Sequence, residues 1–202
     1  MDAIDADQDV RAYLAQLRAA GCKAVGRYYS KHAWKVVTQA EAHAISAAGF
    51  KVFAVYEDSA SSSILSTVNG RDHANRALAY ALYTIHQPQG SGIYFAVDFE
   101  ANSQTQGLDD YFDAINATFA AHGSPYKVGV YAGGDVCDHL LKTNRVSFGW
   151  LTQSTSYPGY QAFLASKRWA ISQRLPPAGV PHLDADPDDL NPQIPDFGGF
   201  QV

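Results

Sequence analysis

The residues best suited to chemistry stand at the end of one short segment, Gly92-Ile93-Tyr94-Phe95-Ala96-Val97-Asp98-Phe99-Glu100. An extended chain turns successive side chains to opposite faces. Ile93, Phe95, Val97 and Phe99 then share one wholly apolar face, and Tyr94, Ala96, Asp98 and Glu100 share the other. Two carboxylates in phase are costly inside a core, where unpaired charge is strongly disfavoured. They suit a rim where one acid hands over a proton and the other steadies developing charge. Taken singly, each has a plainer reading: Asp98 as the cap of a following helix, Glu100 as a solvated side chain. Their common phase favours chemistry.

Other runs also end in acids: Asp5, then Glu57 with Asp58, and Asp184 with Asp186, the last two in phase with His182. Crowded carboxylates push one another's pKa upward, as a general acid near neutral pH requires. Tyr28, Tyr56 and Tyr131 lie near the ends of strand-like runs. A flat ring carrying a hydroxyl suits the apolar face and polar rim of a sugar, although core packing is the default for any one tyrosine. Gln153 and Gln173 end two further runs, where amides could bind sugar hydroxyls, orient the acids or satisfy local backbone. No cofactor or metal site is expected. The run Asp184 to Asp189 lacks the glycine and closing glutamate of a calcium loop, and the histidines show neither HxH nor HExxH spacing.

These residues need a scaffold that brings strand ends together. Candidate strands are Ala3–Asp5, Ala24–Tyr29, Lys51–Glu57, Gly92–Asp98, Lys127–Tyr131, Gly149–Gln153, Arg168–Gln173 and His182–Asp186. Helical patterns fall between them at about residues 8–20, 38–48, 70–86, 108–122, 134–142 and 157–166. Thr38 with Glu41 reads as a capping box, and Gly21, Gly49 and Gly123 as helix stops. The connection from Leu175 to Pro181 is proline-rich and too short for a helix. The rhythm predicts an α/β chain folded as a single (β/α)8 TIM-type barrel over residues 1–202, with a proline-punctuated tail wrapping its surface. An open doubly wound sheet is the competitor, but it asks for a glycine-rich turn after the first strand, where Asp5-Ala6-Asp7 stands. Closing the barrel brings the first and eighth strands together, so that Asp5 and Asp184 face Glu100 across one mouth.

Fifteen basic against twenty acidic residues leave a net charge of −5, with no basic run or stripe, which argues against nucleic acid as a partner. No stretch is apolar enough for a transmembrane segment. Asp2, Asp5, Asp7 and Asp9 interrupt any signal-peptide core at the start. Cys22 and Cys137 show no framework spacing and read as buried thiols, their pairing left open.

In order along the chain, Ala3-Ile4-Asp5, Val25-Gly26-Arg27-Tyr28-Tyr29, Ile93 to Glu100 with its Asp98-Phe99-Glu100 signature, Gly129-Val130-Tyr131, and Ile171-Ser172-Gln173 with Asp184 resemble the glycoside-hydrolase-like group called domain of unknown function 1906. That group is similar to family 25 lysozymes. The resemblance spans nearly the whole chain, although Ala3 stands where the group commonly has glycine. It implies a glycosidase of the N-acetylmuramidase type, acting at the cell envelope or outside the cell on peptidoglycan or a related amino-sugar glycan. Glu100 would be the general acid/base, and Asp98 would orient a substrate N-acetyl group acting as internal nucleophile. Asp5 and Asp184 would tune protonation and grip the sugar. A catalytically silent barrel that binds cell-wall glycan is the rival reading, and a metal-dependent hydrolase a third.

Overall fold

The alternation read from the sequence is carried out strand by strand in the computed structural model, which describes residues 1–175 and 180–202. Eight strands close a barrel in chain order: β1 (Ala3–Asp5), β2 (Ala24–Tyr29), β3 (Lys51–Tyr56), β4 (Gly92–Val97), β5 (Lys127–Ala132), β6 (Phe148–Leu151), β7 (Ile171–Gln173) and β8 (Asp186–Leu190). Helices α1 (Leu14–Ala19), α2 (Gln39–Ala47), α3 (Thr67–Ala79), α4 (Leu108–Ala121), α5 (Gly134–Lys142) and α6 (Tyr160–Ser166) pack outside, and α3 runs on as a wider π turn over Tyr80–Ile85.

Two concentric layers follow from the period of two. Ile4, Val25, Val52, Ala54, Ile93, Phe95, Val97, Val128 and Val130 face the helices. Ala24, Phe53, Val55, Tyr94, Ala96, Tyr131, Trp150 and Ile171 fill the interior. Gly26 makes room for that filling. A Cβ there would lie 2.5 Å from the Phe53 ring and 2.8 Å from Asp5 Cβ.

The eighth strand corrects the sequence reading. It begins at Asp186, not His182, and runs antiparallel to both neighbours, pairing Asp5 with Asp186, Ala3 with Asp188 and Gln173 with Asp188. A parallel strand needs a crossover that returns the chain to the far end of the barrel, usually through a helix. The connection after β7 holds none among its described residues, and its stretch 176–179 lies outside them. Entering from the mouth, β8 therefore descends into the barrel. The tail beyond it crosses the opposite end: Gly92 N donates to Gly198 O (2.8 Å), Phe200 bridges Val52, and Tyr94 Oη donates to Phe197 O (2.8 Å).

The helix signals hold, with one exchange of partners. Thr38 Oγ1 accepts from Glu41 N at 3.2 Å, as a cap should. The Glu41 carboxylate does not reach back to the cap; it pairs with Arg27 Nε at 2.7 Å and accepts from Val10 N at 3.1 Å. Both ionic side chains are only 1% exposed, and Arg27 also meets Ala6 O. This buried pair ties the loop after β1, which rims the mouth, to β2 and α2. Gly21, Gly49 and Gly123 take positive φ at helix ends, as read. Cys22 and Cys137 are both free and buried. Among the described residues no helix is long and apolar enough to cross a membrane.

Candidate active site

At the mouth, the ends of β1, β2, β4, β5, β6 and β7 meet the start of β8. Gln173, buried on β7, is the hub. Its Nε2 donates to Asp5 Oδ2 at 2.8 Å and to Asp186 Oδ2 at 3.2 Å. Its Oε1 accepts from Tyr131 Oη at 2.8 Å and from Gln153 N at 3.3 Å. Tyr28 Oη donates to the other oxygen of Asp5 at 3.3 Å, and Gln153 Nε2 donates to Asp186 Oδ2 at 3.4 Å. One amide thus fixes two acids, and two further strands fix the amide.

Below them lies Asp188, wholly buried. Trp150 Nε1 donates to its Oδ1 at 2.9 Å, while its Oδ2 has no hydrogen-bond partner among the described residues. The two buried carboxyls of Asp188 and Asp5 act on each other's titration. Burial, and then the charge of Asp5, raises the Asp188 pKa well above the carboxylate range. Burial also pushes Asp5 up, to about 7, against the hydrogen bond from Gln173 and with the help of Asp186. Burial beside an aromatic wall and the proximity of a second acid both disfavour the charged form, so the two carboxyls are raised together.

Asp98 continues β4 inward and is half-buried. Burial raises its pKa, and so does the Glu57 carboxylate, whereas the Lys35 ammonium opposes the rise and Asp186 adds to it. Asp98 thus lies within electrostatic reach of both groups of acids. Lys35 Nζ pairs with Glu57 Oε1 at 2.9 Å. Burial, then Asp184 and Asp7, raises Asp186. The acids open on a cleft of about 160 Å³ lined by Asp5, Ala6, Asp7, Tyr28, Asp184, Ala185 and Asp186. Larger clefts, of about 540 and 600 Å³, lie outside the barrel along α3 and α4 and hold none of these residues.

The sequence-predicted residues fall into three sets. Asp5, Tyr28, Tyr131, Gln153 and Gln173 are brought together directly, and Asp98 stands beside them. Asp184 is exposed on the cleft's rim, one turn of the alternation above Asp186, and Glu100 is exposed past the end of β4 with no hydrogen-bond partner among the described residues. Tyr56 departs from its expected place. It belongs to the outer layer, where its ring packs 5.0 Å from His73 under α3 and its hydroxyl donates to Asp58 at 2.7 Å. Its position one residue after inward-facing Val55 assigns that face. The reading passed over Asp188 and Lys35; the period of two through Asp184, Asp186 and Asp188 was the available signal for the first.

This geometry can be set beside known proteins. The model of the Rv2525c-like, glycoside hydrolase-like domain matches residues 15–185. The chain belongs to that family. The uncharacterized protein YbfG of Bacillus subtilis strain 168 is 28% identical over 172 residues, which cover 78% of this chain and 24% of YbfG, so the chain spans about a quarter of that relative's length. The crystal structure of the Mycobacterium tuberculosis Tat-secreted protein Rv2525c in complex with L-tartrate superposes with a TM-score of 0.78 at 22% identity, covering 97% of both chains. The bacterial lysozyme of Streptomyces coelicolor superposes with a TM-score of 0.55 at 13% identity, covering 94% of this chain and 91% of the lysozyme. These likenesses establish a glycoside-hydrolase-like barrel. Chemistry must be argued from the site.

Proposed function

We propose that this domain is a glycosidase of the N-acetylmuramidase type, acting on peptidoglycan or a related amino-sugar glycan at the cell envelope or outside the cell. The observation that carries the reading is the position of Asp98 and Glu100 after β4, at the mouth end of a barrel whose neighbouring acids are already held in a hydrogen-bonded frame. Glu100 protonates the glycosidic oxygen as the bond to C1 breaks, and the substrate's N-acetyl carbonyl oxygen forms the new bond to C1. Water then opens that ring intermediate, giving its proton to the Glu100 carboxylate. Asp98, kept ionisable by Lys35 against burial and Glu57, accepts the acetamido N–H and orients the carbonyl. Asp5, Asp186 and Gln173 hold the sugar's hydroxyls, with Asp184 at the rim. No nucleic acid and no cofactor enters this scheme.

The test is release of reducing ends from purified peptidoglycan. Glu100→Gln keeps the shape and removes the acid, so turnover should fall about a hundredfold or more while binding persists. Asp98→Asn should lower it less, because an amide oxygen still accepts the N–H.

A second reading has its own observation. Glu100 is exposed with no supporting partner among the described residues, and the cleft is smaller than the roughly 300 Å³ at which ligand pockets usually begin. Both features suit a barrel that binds cell-wall glycan without cleaving it. Binding of the glycan without release of reducing ends, in wild type and Glu100→Gln alike, would select this reading.

A further inference from the structure

Trp34 is 67% exposed, whereas the other two tryptophans, Trp150 and Trp169, are buried. Single exposed aromatics are common on protein surfaces. What sets this one apart is how it is held. It lies on the loop after β2, on the mouth side of the barrel, and that loop is fixed by backbone bonds from Lys35 N to His32 O (3.2 Å) and from Val37 N to Tyr28 O (3.0 Å). Lys31 N further donates to Asp58 Oδ1 at 2.8 Å. Between Trp34 and the cleft stands Lys35, itself only 5% exposed. Its ammonium lies 5.8 Å from the Trp34 ring centre, 4.7 Å from the Tyr28 ring centre and 2.9 Å from Glu57 Oε1. Tyr28 in turn hydrogen-bonds Asp5 and lines the cleft.

Burying an ammonium is unfavourable unless a carboxylate and ring faces compensate it, and here they do. The result is a strut that holds an indole at a fixed offset from the acids without covering it. A flat, rigid, amphipathic ring loses little entropy on contact and matches the apolar C–H face of a pyranose. The cleft itself is too small for more than part of a glycan, so neighbouring sugars must rest on the rim.

We infer that Trp34, braced by Lys35, is a sugar platform: a second subsite that stacks an N-acetylhexosamine ring next along the strand from the ring held over the cleft. The inference rests on the glycan reading above and adds to it a residue outside the acid cluster.

The probe is soluble glycan strands freed from purified peptidoglycan by amidase digestion, titrated into the Glu100→Gln protein so that no cleavage intervenes. Acrylamide quenching of tryptophan fluorescence reports Trp34, because the other two indoles are buried. Strands should shield Trp34 from the quencher. Trp34→Ala should weaken binding about tenfold, the equivalent of one good aromatic contact, and Trp34→Tyr should recover most of it. Strands that bind while Trp34 stays fully quenchable, with undiminished affinity in Trp34→Ala, would overturn the platform and leave the glycan reading standing. Strands that bind neither the Glu100→Gln protein nor wild type would overturn both.

Discussion

The two ends of this barrel are built by the same strands and differ in almost everything else. At the floor, Phe53, Tyr94, Phe148 and Trp150 interlock, the Phe53 and Trp150 ring centres 5.2 Å apart and edge-on, and Phe197 of the tail closes the opening. At the mouth, Asp5, Asp98 and Gln173 continue the inward phase of their strands, Asp186 begins that of β8, and Gln153 joins them from beyond the end of β6. The aromatic floor removes water from beneath the acids, and burial is the first cause of the raised pKa values of Asp5 and Asp188. The mouth's electrostatics are a consequence of the floor's packing, and Trp150 is where the two meet: its ring belongs to the floor and its Nε1 holds Asp188.

Removing that junction should give the largest effect. Trp150→Ala deletes a fully buried indole and strips Asp188 of its donor, so a loss of about 3–5 kcal/mol is expected, lowering Tm by roughly 10 °C. Thermal unfolding followed by circular dichroism measures it. A fall of under about 3 °C would mean that the floor is not a rigid base for the mouth.

Asp188→Asn sharpens the comparison through pH. A carboxyl whose pKa is raised on folding contributes stability below its unfolded value, near 4, and loses that contribution as pH rises toward its folded value. Asp188 and Asp5 are both of this kind, with Asp5 reaching about 7. Asparagine keeps an oxygen for Trp150 and offers Asp5 a permanent N–H. The variant should therefore gain on wild type by about 1.4 kcal/mol per pH unit from pH 5 to 7, for the one proton Asp188 would otherwise hold. A stability difference that stays constant over that range would show that Asp188 does not take up a proton on folding.

How much of this could be read in advance depends on which residues carried the pattern. The strand before Asp98 was legible because four apolar side chains alternate without a break, and the barrel was legible because such runs recur between capped helices. The eighth strand was not. Asp-Pro-Asp-Asp-Leu has little intrinsic tendency to extend, and it becomes a strand because β1 and β7 offer it two unpaired edges. Its phase was correct and its direction reversed, so Asp184, expected inside the mouth, sits on the rim, and Asp188 is the deepest acid. The short proline-rich connection after β7 held the clue, since a chain without a crossover helix has to turn straight back. Tyr56 was misplaced for a similar reason. Its run reads as apolar on both faces, and only the neighbours of Val55 decide which face looks inward.

Glu100 should give the smallest effect on stability, and that is what makes it informative. It is exposed, lies beyond the end of β4, and has no hydrogen-bond or ion-pair partner among the described residues. No contact among the described residues depends on its charge, so Glu100→Gln should change stability by no more than about 0.5 kcal/mol, or about 2 °C in Tm. A residue that packing ignores can still be one that chemistry requires, and in that case the same variant loses reducing-end release from peptidoglycan. A clear drop in Tm would instead give Glu100 a structural role and blur the division between floor and mouth. An unchanged Tm together with abolished turnover would separate the two: the floor and the buried acids hold the barrel, and the exposed acid at its rim acts on the substrate.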